Sequence, residues 1–371
     1  TFEPNGWGMV LHGDDMDNAS TTTHLTLGTS GVDLILQPNA AALTSGFVNG
    51  YNPGETWTEQ TSGGNHFTGV TYGNGIFVAV GSAGTILTSP DGSAWTQRTS
   101  GITNAFYGIT YGDGTFVAVG EGGKILTSSD GSTWTPRTSG QNSTLTNVTY
   151  ANGKFVTVGN SGTILTSPGG SDGTWTLRTS ETTNAFSGIT YGDGTFVAVG
   201  EGGIILTSSD GSTWTPRTSG QNSTLTNVTY ANGKFVTVGN SGTILTSPGG
   251  SDGTWTLRTS ETTNAFSGIT YGDGTFVAVG EGGIILTSTD GTSWDNSTSG
   301  TSSFLIGITQ ANGTFVAVGS AGTILTSYDG STWTSRTSGT SIDLRGASYG
   351  NNTFVTVGGN GTILTSNDGS S

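Results

Sequence analysis

Cysteine is absent from this chain, so neither a disulfide framework nor thiolate chemistry is open to it. Histidine is nearly absent: there are 3, at positions 12, 24 and 66. No Ser-His-Asp set, His-rich metal spacing or phosphate loop can be assembled, and neither an enzyme nor a cofactor is expected. Basic residues are also scarce, with Lys and Arg numbering 10 against 25 Asp and Glu, for a formal net charge of −15. Phosphate recognition needs clustered cations, so nucleic acid and anionic membranes are disfavoured as partners. No run is long and apolar enough to cross a bilayer, and membrane insertion is not expected. Helical periodicity is missing throughout.

What the chain has in abundance is glycine, 65 of 371 residues, recurring at fixed places. One unit reads GITYGDGTFVAVGEGGKILTSSDGSTWTPRTSG, residues 108–140. Its tryptophan recurs as Trp57, Trp95, Trp134, Trp175, Trp214, Trp255, Trp294 and Trp333, at steps of 38, 39, 41, 39, 41, 39 and 39. Each unit holds four strand-like runs. The run ending at Tyr111 meets Asp113 and Gly114, a pair that favours a type I′ hairpin because glycine accepts φ > 0 freely. Residues 116–119, Phe-Val-Ala-Val, are apolar without alternation, as a strand buried on both faces requires. Ile125 and Leu126 form the third run, and Trp134 opens a fourth. A period near 40 with four short strands per period indicates an eight-bladed β-propeller of four-stranded blades over residues 55–371.

The core runs begin at Phe77, Phe116, Phe155, Phe196, Phe235, Phe276, Phe315 and Phe354, out of phase with the tryptophans. Trp57 precedes the first core run, and no tryptophan follows the last. The economical arrangement has the Trp57 strand completing the final blade, which closes the ring and removes its exposed end faces. Residues 103–208 match 183–288 at an offset of 80, differing only at Tyr107/Ser187 and Lys124/Ile204. A recent duplication of a two-blade unit accounts for this.

The sequence Ser-Ser-Asp-Gly-Ser-Thr-Trp at residues 128–134 resembles the box of Asp-box, or BNR-type, propellers, Ser/Thr-x-Asp-x-Gly-x-Thr-Trp. The match carries over to Asp130 and Trp134, and to Asp91 and Trp95, Asp210 and Trp214, Asp290 and Trp294, and Asp329 and Trp333. The resemblance implies that Asp braces the turn between third and fourth strands and that Trp packs between blades. This chain is one residue shorter between Asp and Trp, and residues 168–175 and 248–255 rewrite the turn as Pro-Gly-Gly-Ser-Asp-Gly-Thr-Trp. The strand series also looks like that of photosystem II assembly-factor propellers and related secreted bacterial and phage proteins.

Residues 1–54 share no repeat with the rest and form a non-repetitive N-terminal extension. Residues 23–37 read as strand, turn, strand. The segment either packs on its own propeller or attaches to another chain through Phe2, Trp7, Val32, Leu34 and Leu36, residue types that suit an interface core.

Two carboxylate sets repeat in alternate blades: Asp113, Asp193 and Asp273 in one turn, and Glu121, Glu201 and Glu281 in another. They read as solvated turn residues, or as a ligand or cation rim. Arg98, Arg137, Arg178, Arg217, Arg258 and Arg336 each follow a tryptophan by three, with Gln60 and Ser297 breaking the series. They are expected to stack on or pair with a neighbouring blade. Together these features point to a non-enzymatic binding or adhesion module that recognises a glycan, a surface protein or a repetitive surface. The other reading is a structural decoration or assembly protein of a virion or cell-surface filament, joined to a parent assembly by residues 1–54. Either role places the chain outside the cell, on a cell surface or on a virion.

Overall fold

The uninterrupted apolar run of each repeat makes every sheet depend on two neighbours. The computed structural model describes residues 23–27, 32–36, 57–60, 62–169, 173–249 and 254–367, the first two stretches as backbone alone. Phe116, Val117, Ala118 and Val119 are all 0% exposed. Their side chains point alternately to opposite faces, as in any strand. Phe116 and Ala118 pack against Val78, Val80 and Ile86 of the preceding sheet, whereas Val117 and Val119 pack against Leu145, Phe155 and Leu165 of the following one.

The repeats form eight four-stranded antiparallel sheets, numbered here as blades 1 to 8 in chain order. In blade 2 the first to fourth strands are Phe106–Gly112, Thr115–Gly120, Ile125–Ser128 and Thr135–Arg137. First strands of consecutive blades lie side by side all the way round, blade 8 against blade 1 included, so they line a central channel. One apolar cluster fills each gap between blades.

Closure occurs as the phase of the repeats requires. Thr58–Glu59 pairs with Ile363–Asn367 in blade 8, matching Thr58 with Thr365 and Glu59 with Leu364. The Gln60 N–H extends the ladder by donating to the Ile363 carbonyl at 2.9 Å. Trp57 is buried among Val316, Val318 and Ile324 of blade 7 and Leu344, Phe354 and Leu364 of blade 8. This is the place that Trp134 takes between blades 1 and 2.

The chain divides into two units, Thr1–Asn52 and Pro53–Ser371. The first contains the expected hairpin, Thr23–Leu27 antiparallel to Val32–Leu36, in a register that pairs Val32 with Leu27, Leu34 with Leu25 and Leu36 with Thr23. Phe2 and Trp7 lie outside the described residues.

Because Trp57 seals the last gap, Trp57→Ala is expected to cost about 3–5 kcal/mol of unfolding free energy, the range for truncating a large buried aromatic. Removing residues 55–61 from the chain should lower the melting temperature further. Thermal and denaturant melts unchanged by either alteration would contradict closure by this strand.

Candidate functional site

Antiparallel strands give the ring two unlike ends. At the hairpin end lie the connections between first and second strands and between third and fourth. At the turn end lie the tight connections between second and third strands, such as Glu121–Gly123, and the loops that pass from one blade to the next.

At the hairpin end, Asp113 and Gly114 have φ of 47° and 70°, the two positive values that a type I′ hairpin needs. The Asp turn follows. Asp130 Oδ1 accepts the Ser132 and Thr133 N–H groups at 2.8 and 2.9 Å and the Ser128 hydroxyl at 3.0 Å. The Trp134 indole N–H donates to the Gly131 carbonyl at 2.8 Å. Gly131, at φ 71°, sits so close to blade 1 that a Cβ would lie 2.4 Å from Ile76 Cδ1. The turn thus fixes the tryptophan while its glycine abuts the neighbouring blade.

The six repeated carboxylates do not make one rim. Asp113 and Glu121 stand at opposite ends of the strand Thr115–Gly120, roughly 20 Å apart at strand rise. The glutamates brace backbone, and one of the aspartates meets the next blade. Glu121, Glu201 and Glu281 accept the N–H groups of Ala105, Ala185 and Ala265 at 3.3, 3.2 and 3.2 Å. Asp273 accepts the Gln310 side-chain amide of blade 7 at 2.7 Å. Among the described residues no cluster of His, Asp or Glu could hold a metal ion.

The arginine series bonds within its own blades. Each Nε donates to a threonine hydroxyl on the third strand of its own blade, as Arg98 does to Thr88 at 2.8 Å and Arg336 to Thr326 at 2.7 Å. Gln60, which breaks the series in sequence, keeps the bond: its amide donates to the Thr365 hydroxyl at 3.0 Å.

At the turn end the structure reveals a device that was not read from the sequence. In every blade the pairing of first and second strands slips by one residue at its start, for example between Phe106 and Gly108 in blade 2. A bulge of this kind re-aims its extra residue. The residues so placed around the channel mouth are Thr68, Tyr107, Thr146, Ser187, Thr226, Ser267, Ile306 and Arg345. Thr68, Thr146, Thr226 and Ser267 donate to the carbonyl that opens the next blade's first strand, at 2.7, 2.7, 2.7 and 2.5 Å. Tyr107 and Arg345 are exposed instead, Tyr107 to 44%. Beside them Phe304 is 38% exposed, and His66 Nδ1 accepts the Asn360 N–H from blade 8 at 3.3 Å. These departures fall on blades 7, 8, 1 and 2, which are consecutive in the ring. They form an aromatic and cationic arc on an otherwise hydroxyl-lined mouth. Such an arrangement can bind; it offers no nucleophile paired with a base.

No protein-family model matches the chain, and no curated protein matches it in sequence. Solved structures do. The chain is similar to the computationally designed Ika8 protein, at 15% identity and a TM-score of 0.69, covering 83% of this chain and 98% of that one. It is similar to YCF48 bound to D1 peptide, at 17% identity and a TM-score of 0.56, covering 85% and 96%. It is also similar to BamB from Moraxella catarrhalis, at 13% identity and a TM-score of 0.63, covering 84% and 100%. The fold is an eight-bladed β-propeller.

The propeller's Asp turns make it sensitive to acid. Backbone N–H bonds from Thr133 and Ser132 hold Asp130 below its ordinary value, and those from Thr213 and Ser212 do so for Asp210. Asp290 is lowered chiefly by the Thr292 hydroxyl. At Asp329 burial pushes upward, but the N–H groups of Thr332 and Ser331 outweigh it and bring the carboxyl from 3.8 to about 2. The unfolded chain therefore takes up these protons first. The stabilisation is complete above about pH 4 and is lost at lower pH, through about 2 for Asp329. Melting temperature is expected to fall steeply over that window, and Asp130→Asn with Asp210→Asn and Asp290→Asn should flatten the fall. An equal slope in the triple variant would contradict the assignment.

Proposed function

We propose that this propeller is a non-enzymatic binding module, used for adhesion, that takes its ligand at the turn end. One observation carries the reading. In the duplicated pair of two-blade units only Tyr107/Ser187 and Lys124/Ile204 have diverged, and both positions belong to the turn end. Drift without function would scatter changes over hairpins, outer strands and turns alike. Arg345, Ile306 and Phe304 extend the same arc.

Hydroxyl and amide groups with isolated aromatic rings suit a hydroxyl-rich ligand, a glycan or a glycan-bearing surface. Similar mouths in successive blades would add avidity on a repetitive target. An extracellular, cell-surface or virion-surface setting belongs to this proposal. The D1 peptide held by the similar YCF48 makes a peptide the alternative occupant to test. A second reading, a decoration protein anchored by residues 1–54, is favoured by the separate unit that carries the hairpin Thr23–Leu27 and Val32–Leu36.

The test is a screen of the full-length protein against arrayed glycans and peptides, repeated with Tyr107→Ser and Arg345→Ser. Tyr107→Ser installs the residue that the duplicate unit carries at position 187. Saturable binding without turnover of the ligand is expected, weakened about tenfold or more by either change, equivalent to about 1.4 kcal/mol, with melting unchanged. Binding that survives both changes, or turnover of the ligand, would overturn the reading. Retention of the protein on a parent assembly only when residues 1–54 are present, with no ligand on the ring, would instead favour decoration.

A further inference from the structure

We infer that the turn-end cleft between blades 1 and 2 is a subsite for an acidic saccharide, a sugar ring bearing a carboxylate. The inference rests on the reading of the chain as a binding module and gives that module a ligand class.

The cleft has a volume of about 750 Å³, within the range of roughly 300–1,000 Å³ usual for small-molecule sites. The amides of Asn65, Gln97 and Asn104 line it, with Arg98 and Lys124 as its two charged groups and Ala83 and Ile102 as its aliphatic side chains; threonine and serine make up most of the rest. No acidic residue lines the cleft. The Arg98 Nε bond to Thr88 holds that side chain against the third strand. Neither Arg98 nor Lys124 has an ion-pair partner among the described residues. Glu121, which starts the turn ending just before Lys124, is outside the lining, and its carboxylate is bound to the Ala105 N–H.

The same place in the duplicated blades lacks this excess of positive charge, because Arg178 and Arg258 are offset there by a glutamate. Where blade 2 has Gly101 and Lys124, blade 4 has Glu181 and Ile204, and blade 6 has Glu261 and Ile284. Glu181 and Glu261 occupy a left-handed backbone position, φ 56° and 54°, which glycine fills in the other loops of this kind, Gly101 among them at φ 72°. A side chain there is strained. Two cleft positions thus separate blade 2 from blades 4 and 6 by two units of charge. Lys124 is also the lone cation among its eight equivalents, the others being Thr85, Thr163, Ile204, Thr243, Ile284, Thr323 and Thr362. On a chain of net charge −15, an amide-rich cleft with two cations selects an anionic ligand by contrast with the field around it. Its hydroxyl and amide lining matches the donors and acceptors of a sugar ring.

The experiment is calorimetric titration of the full-length protein with two matched pairs: trigalacturonate against its fully methyl-esterified form, and sialyllactose against lactose. The pairs separate a uronate from a sialate as the source of the carboxylate. The wild type should bind at least one acidic form ten or more times more tightly than its neutral counterpart, with affinity falling as salt rises. Lys124→Ile should remove that preference. The variant is expected to fold, because isoleucine already stands at the equivalent positions 204 and 284. Equal affinity for acidic and neutral forms, no binding of either acid, or an acid preference intact in Lys124→Ile would overturn the inference. None of these outcomes touches the broader reading, which stands or falls with Tyr107→Ser and Arg345→Ser on the arrays.

Discussion

Burial of every second strand between two neighbouring sheets is the constraint on which the rest of the structure depends. A strand such as Thr115–Gly120 is buried on both faces, so a blade alone would leave two apolar surfaces in water. Stability is therefore a property of the gaps between blades, as in other repeat proteins where each unit contacts its neighbours alone. An open array would leave two such faces uncovered. Thr58–Glu59, added to the C-terminal strand Ile363–Asn367, joins the ends and makes the last gap like the others.

A ring held in this way supplies a rigid mouth at little cost in sequence. The cores repeat nearly unchanged because every gap asks for the same shape. The bulge at the start of each first strand then turns one residue per blade out of the ladder. Where that residue is threonine or serine, as at Thr68 and Ser267, it ties neighbouring first strands together. Where it is Tyr107 or Arg345 the side chain is exposed and free to meet a ligand. On the proposed reading, scaffold and recognition are thus separated within a single repeat.

Much of the scaffold was legible in the sequence because its physics is local or periodic. The Asp113-Gly114 hairpin follows from backbone sterics, and the unbroken apolar run from double burial. The closing strand followed from the mismatch in phase between Trp57 and Phe77. The recognition surface was far less legible. A single rim of the six repeated carboxylates stayed open beside solvated turns because spacing along the chain does not reveal which end of the ring a turn occupies. Asp113 and Glu121 are eight residues apart and at opposite ends. The arginines were expected to meet a neighbouring blade, and their spacing from tryptophan does not show that a threonine on the adjacent strand lies within reach of Nε. The bulge leaves no mark in composition. Its signal was the pair of differences between duplicated units, Tyr107/Ser187 and Lys124/Ile204, which gain meaning once both are seen at the turn end.

The central claim is that the split blade 8 is as firmly part of the ring as any blade built from one continuous segment. Native-state hydrogen exchange tests it most directly, because amides that open only with the whole domain share one exchange free energy. The account predicts that the amides of Val355, Val357 and Leu364 exchange with the same free energy and denaturant dependence as those of Val197, Val199 and Leu206 in blade 4. Earlier exchange in blade 8, with a smaller denaturant dependence, would show a ring that opens at its seam and would contradict the account.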